Sequence, residues 1–210
     1  MGFRFRIALV CFAAGMALSC KSPEHGPPPQ PTPAATPSGS AAPEPPKGPP
    51  SFHLESAAFA LHTSIPMKHT CEGADLSPPL SWGDAPAGTK SFALIVDDPD
   101  VPDPAAPKRQ WVHWVVYDIP ASATGLPEGL KKTPEGARDG HNDWGKPGYG
   151  GPCPPIGNHR YYHKLYALDV VLGDKGPLTK AELEKAMEGH VLARVELVGL
   201  YQKQKPAPKK

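Results

Sequence analysis

Two runs dominate the pattern of apolar and polar positions along the chain. Phe92-Ala93-Leu94-Ile95-Val96 is apolar without a break, and Trp111 to Ile119 sets aromatic and β-branched residues around one histidine. Both are short, branched and bounded by turn residues, which predicts strands. The first is expected to break at Asp97-Asp98-Pro99, two acids and a residue with no amide hydrogen. In the second, a period of two puts Trp111, His113, Val115 and Tyr117 on one face and Val112, Trp114 and Val116 on the other. Apolar residues on both faces predict a central strand covered on each side.

The same reading gives a first strand near Phe52 and Leu54, and a turn-rich segment from Ile65 to Trp82 in which Pro78 and Pro79 bar a central strand. A strand over 159–171 would place His159, Tyr161, His163 and Leu165 on one face, and a last strand should cover 190–201. Thr179 followed three residues later by Glu182 is a capping box, so a short helix should run to about Met187 and stop at Gly189. Residues 121–148 are poor in branched side chains and are expected to form a long surface excursion with one short helical turn. The fold class is therefore mainly β, an antiparallel sandwich or barrel with one or two short peripheral helices.

Composition changes the picture at the two ends. Arg4 and Arg6 precede an apolar stretch, Ile7 to Leu18, that is too short to span a bilayer comfortably, and residues 1–19 read as an export signal. Ala17-Leu18-Ser19-Cys20 resembles the bacterial lipoprotein box, in which the cysteine is lipidated and becomes the mature N-terminus; the alternative is an ordinary secretory signal cleaved nearby, and on either reading the chain is expected to leave the cytoplasm. Lys21 is not the aspartate associated with inner-membrane retention in enteric bacteria, so the cell envelope, at the periplasmic face of the outer membrane, is the expected location. Many of the 30 prolines fall between Lys21 and Pro50, where almost no large apolar side chain offsets ordering entropy. Residues 20–50 are thus expected to be a lipidated start and an extended tether, with a reach of roughly 90 Å at about 3.1 Å per residue. Residues 51–202 are the expected domain and 203–210 a solvated basic tail.

Net charge is +1, and removal of residues 1–19 takes two arginines and no acid. The electrostatic footprint of a nucleic-acid binder is absent. Membrane attachment would depend on acyl chains rather than on a basic patch.

Asp98, Asp100, His113, His159 and Tyr161 carry the candidate chemistry. Each sits at a strand end or on a strand face beside the Gly/Pro-rich loop 149–158. A carboxylate is costly in an apolar interior unless paired, so these residues predict a polar pocket at a sheet rim. Imidazole and phenol donate to phosphate oxygens, and glycine-rich backbone adds further donors. Each also has a structural reading. Aspartates before prolines form turns, His113 can be a satisfied core histidine, and Trp111 and Trp114 are most simply core. A metal held by His113, His159 and an aspartate lacks any His-x-His or His-x-x-x-His pair in support. Cys153, six residues before His159, has the chemistry of a nucleophile, but no further motif accompanies it. Once Cys11 is removed and Cys20 is lipidated, Cys71 and Cys153 are the remaining thiols, and an exported protein is expected to join them.

Asp98-Pro99-Asp100-Val101-Pro102, Trp111-Val112-His113-Trp114, and Gly151-Pro152-Cys153-Pro154-Pro155 with His159-Arg160-Tyr161 resemble the signature blocks of the phosphatidylethanolamine-binding protein family. The flavour is that of its bacterial, Raf-kinase-inhibitor-like branch. Thr70-Cys71-Glu72-Gly73 and Ser77-Pro78-Pro79-Leu80-Ser81-Trp82 look like that branch too, and the resemblance covers about residues 52–202. It implies a β-sandwich with a small anion-binding pocket at one end. Asp98, His113, His159 and Tyr161, with the backbone of Gly151, Pro152, Cys153 and Pro154, would line that pocket, and Val101, Pro102 and Trp111 would shape its wall. The sequence ends soon after the last strand, so the C-terminal helix of eukaryotic members is not expected and the mouth should be more open. The function implied is an exported, lipid-anchored binding protein for a small anionic, phosphate-ester or head-group-like ligand, with no catalysis, cofactor or metal. The competing expectation is an interaction module, such as an inhibitor of an envelope protease or other enzyme, acting through the 121–148 excursion.

Overall fold

The computed structural model describes residues 51–204. The expected export signal, Cys20, the tether and most of the basic tail lie outside the described residues. Those described form β1 (His53–Glu55), a 3-10 turn at Met67–His69, β2 (Leu80–Gly83), β3 (Ser91–Val101), β4 (Arg109–Pro120), β5 (Gly125–Leu126), β6 (Arg138–Asp139), β7 (His159–Leu168), α1 (Lys180–Ala186) and β8 (Val191–Tyr201). The strands make a three-stranded sheet, β1-β2-β5, and a five-stranded sheet, β6-β4-β3-β7-β8, antiparallel throughout.

The unbroken apolar run is the axis of the large sheet. Phe92, Leu94 and Val96 face a core shared with Leu54, Leu80, Trp82 and Leu126 of the small sheet. Ala93 and Ile95 face the opposite side, where Val115, Tyr117 and Leu168 pack under Leu178, Leu183 and Met187 of the α1 region. Both faces of β3 are dry, so neither can afford the alternating polar residues of a half-exposed strand. The capping box is formed in full: the Thr179 hydroxyl accepts from the Glu182 amide, and the Glu182 carboxylate accepts from the Thr179 amide. Gly189, with φ +78°, supplies the left-handed residue beyond the helix end.

Three expectations are corrected. First, β3 does not stop at the acids but runs through Asp97, Asp98, Pro99 and Asp100 to Val101. Its pairing with β7 ends at Asp97, and beyond that it is held by β4 alone. The pairing with β4 also lapses between Asp98 and Val101, which accommodates Pro99 without a ladder hydrogen bond. Second, strict alternation fails in β4. Val96 pairs with Trp114 and Asp97 with Val112, so His113 is the extra residue of a β-bulge. The bulge shifts the faces: Val112 lies in the helix-covered core with Val115 and Tyr117, Trp114 lies in the core shared with the small sheet, and His113 is freed for the rim. Third, the 121–148 excursion has no helical turn. Its regular pieces are β5, which completes the small sheet with buried Leu126, and β6, which pairs with Val116 and Tyr117.

Candidate functional site

Where β3 and β4 pass beyond β7, their ends meet the Gly/Pro-rich loop around a cavity of about 430 Å³. Asp98 and Val101 come from β3, Arg109, Trp111 and His113 from β4, and Trp144 and Lys146 from the end of the excursion. Gly150, Gly151, Cys153, Pro154 and Pro155 come from the loop, and Cys71 and Asp75 from the turn after the 3-10 segment. A Cys71–Cys153 disulfide fastens turn to loop, with Cα atoms 5.5 Å apart. In that state Cys153 carries no thiol, so it is no nucleophile.

Neighbouring residues of one strand point to opposite faces, and this separates the acids. Asp98, only 2% exposed, accepts from His159 Nδ1 at 2.7 Å through Oδ2 and from the Asp100 amide at 2.8 Å through Oδ1. Asp97, on the other side, is held by Lys164 Nζ at 2.7 Å and Lys180 Nζ at 2.6 Å. Asp100 is gripped by Arg160, whose Nε and Nη2 donate at 2.9 and 2.6 Å. The guanidinium holds the Asp100 carboxyl below the usual carboxylate range.

The two imidazoles have different duties. His159 is fully buried, with Nδ1 on Asp98 and Nε2 2.9 Å from the Ile156 carbonyl, so both ring nitrogens already face acceptors. His113 places Nδ1 2.6 Å from the Gly150 carbonyl. A carbonyl can only accept, so Nδ1 carries the proton. Burial lowers the His113 pKa, outweighing the pull of Gly150 and Asp98, and the ring is neutral. Its Nε2, neither bonded nor sealed in, is then an acceptor. The Tyr161 ring packs between the two, centroids 5.1 Å from His113 and 6.5 Å from His159. Its hydroxyl is buried without a hydrogen-bond partner, and burial together with the Asp98 charge keeps the phenol well above its ordinary pKa.

Among residues 150–155 the loop leaves one backbone donor unengaged, the Cys153 amide. The Gly150 amide donates to His113 O at 3.0 Å and the Gly151 amide to Asp75 Oδ1 at 2.7 Å, while Pro152, Pro154 and Pro155 have no amide hydrogen. Glycine is required here by close packing. A Cβ on Gly150 would sit 2.5 Å from the Trp144 ring, and one on Gly151 would sit 2.4 Å from Asp75 Oδ1 and 2.5 Å from the His69 carbonyl.

Positive charge lies at the mouth. The Arg109 guanidinium stacks 4.2 Å over Trp111, and Trp144 packs edge-on against Trp111 and His113 at 5.2 and 5.3 Å. Arg138, Arg160, Lys164 and Lys180 are tied to carboxylates, whereas exposed Arg109 and Lys146 have no carboxylate partner among the described residues.

The sequence profile of the phosphatidylethanolamine-binding proteins matches residues 55–202. The chain belongs to the phosphatidylethanolamine-binding protein family. A UPF0098 protein of Methanothermobacter thermautotrophicus is 47% identical over 155 residues, spanning 72% of this chain and 99% of that protein. The crystal structure of a phosphatidylethanolamine-binding protein homologue from Chlamydia trachomatis superimposes with a TM-score of 0.68 at 45% identity, over 73% of this chain and 99% of that one. That of YbcL from Escherichia coli, described as a member of the mammalian family, does so at 0.66 and 33% identity with the same coverage.

In this family member, Asp98, Val101, Trp111, His113, Gly151, Cys153 and Pro154 line the cavity as the sequence leads one to expect. Asp100, Pro102, Pro152, His159 and Tyr161 do not. Asp100 turns to Arg160, the Pro152 carbonyl accepts from the Cys71 amide, and His159 and Tyr161 stand behind Asp98 and His113 as supports. Pro102 lies outside the lining, half-buried after the cis Val101–Pro102 bond. Sequence reasoning misses Asp75, Arg109, Trp144, Lys146, Gly150 and Pro155. Arg109 has a detectable signal, two residues before Trp111 on the strand whose start faces Val101, but Trp144 and Lys146 reach the mouth only through the folding of a segment that reads as surface. Among the described residues no cluster of three or more His, Cys, Asp or Glu is arranged to hold a metal ion.

Proposed function

We propose that this chain is an exported, lipid-anchored binding protein whose two sheets, facing one another as a sandwich, carry at one end a site for a small phosphate-type anion. The observation that carries this reading is the cavity of about 430 Å³ with Arg109 and Lys146 unpaired at its mouth and Asp98 and His113 within. That volume is in the range of small-molecule sites, and its wall is largely apolar with a few convergent polar groups. The wall is stiffened by Pro154, Pro155 and a disulfide, so little ordering is needed on binding. Family membership supports the same class of ligand, and the lipoprotein-like Ala17-Leu18-Ser19-Cys20 supports the anchor. Calorimetric titration of the full chain with phosphoethanolamine tests the site. Arg109→Ala and Lys146→Ala, both exposed, should each weaken binding by about 3- to 10-fold, with thermal stability unchanged. Affinity indifferent to both substitutions would remove the assignment.

A further inference from the structure

Among the long strands, β3 and β7 are paired on both sides, and the outer side of β4 is taken by β6 and by the amides of Gly140 and Asp143. Over the described residues, β8 is the long strand whose outer side stays partly open. Toward its end that side is closed. The Val198 carbonyl accepts from the His62 amide at 2.7 Å, the Leu200 amide donates to the Thr63 carbonyl, and the Leu200 carbonyl accepts from the Ile65 amide. Backbone groups of an antiparallel strand point to its two sides at alternate residues, and the pairing of β8 with β7 is in unbroken register from Arg194 to Tyr201. Arg194 and Glu196 therefore turn their amides and carbonyls the same way as Val198 and Leu200. Among the described residues these groups meet no partner.

An open edge is a template for another strand, and proteins commonly blunt such edges with lysine or proline. Here the open stretch instead carries one arginine and one glutamate, both exposed and two residues apart. A two-fold axis beside Val195 sets Arg194 of one copy opposite Glu196 of the other, twice over. The same register lets Arg194 and Glu196 exchange backbone hydrogen bonds with the partner strand, since theirs are the groups that face outward. A register shifted by two residues would lay Arg194 on Arg194 or Glu196 on Glu196, so the charges select one alignment. Leu192, 41% exposed at a bulge between the Leu168–Val191 and Ala167–Ala193 pairs, then arrives where His62 lines the partner strand beside Leu61, itself 54% exposed.

We propose that two copies of this chain join through β8, antiparallel and two-fold about Val195, and so merge their large sheets. None of these residues lines the cavity, so the proposal stands apart from the anion site.

A strand-pair contact is at the small end of specific interfaces, so sedimentation equilibrium of the full chain should show a reversible monomer–dimer equilibrium between about 1 and 200 µM. Arg194→Glu and Glu196→Arg should each raise the dimer dissociation constant by at least about 10-fold, because each turns two attractive cross-strand pairs into two repulsive ones. Mixed in equal amounts, the two variants should associate again as a heterodimer, in which every opposed pair has opposite signs. Arg194 also pairs with Glu196 of its own strand, and mixing cannot repair that intrachain contact, so recovery on mixing reports the contact between copies. The double reversal R194E/E196R keeps the intrachain pair and should self-associate like the unaltered chain, which retains the test if a single reversal fails to fold. A chain that stays monomeric to about 200 µM would overturn the proposal and leave the edge to some other extended segment. A dimer indifferent to both reversals, no heterodimer on mixing folded variants, or a folded double reversal that stays monomeric would overturn it too.

Discussion

At the scale of single residues, three buried histidines show how environment assigns a role to one side chain. His159 has acceptors on both nitrogens and fixes Asp98, and His113 has one nitrogen fixed and one left for the cavity. His163, 1% exposed and packed against Phe59, is structural, and burial pulls its pKa down to about 4. An unfolded histidine takes up a proton near pH 6.5, whereas folded His163 resists until about pH 4. In that interval the unfolded state binds more protons, so stability falls as pH drops. The contribution is fully present above about pH 6.5 and is lost on the way down to about pH 4. Denaturant midpoints should decline over that window, and His163→Phe should flatten part of the decline. An unchanged slope in that variant would mean that other groups carry it.

Among the elements, β3 has the most consequential pattern. Its apolar half is covered on both faces, and its acidic end sends Asp98 to the cavity and Asp97 to Lys164 and Lys180. Lys180 opens α1 and also bonds Gln110 Oε1 at 2.6 Å, so Asp97 ties helix, β7 and the start of β4 together. Removing one partner of a buried ion pair leaves the other charge uncompensated. Asp97→Ala should therefore lower unfolding free energy by about 3 kcal/mol in denaturant titration. A loss under about 1 kcal/mol would show that the lysines escape to water. The β4 bulge acts at the same scale, since in an unbulged strand His113 would share a face with Val115.

For the molecule as a whole, the Cys71–Cys153 bond closes a long loop, its ends 82 residues apart in sequence. The chain-entropy account assigns about 4.5 kcal/mol to a loop of that size, through the unfolded state. Reduction with a dithiol should lower the denaturation midpoint accordingly, and Cys71→Ser with Cys153→Ser should reproduce the shift. No shift would mean that the Cys71–Pro152 and Gly151–Asp75 hydrogen bonds alone fix the wall. The bond also places a covalent strut in the cavity wall, so the same treatment should weaken anion binding.

The sequence by itself determined the strands around Phe92, Trp111, His159 and Val191, the capped helix after Thr179 and the pairing of two cysteines, because periodicity, end chemistry and thiol count are local or nearly so. It also marked Asp98 and His113, polar residues set in apolar runs. What a period of two cannot carry is an interruption of itself. The bulge at His113, the passage of β3 beyond Asp97, and the retreat of His159 and Tyr161 behind the wall depend on how one strand's backbone pairs with another's. Only the folded chain brings Arg109, Trp144 and Lys146 to one mouth, since nothing local ties them together. It alone decides which hydrogen-bonding groups remain unspent there.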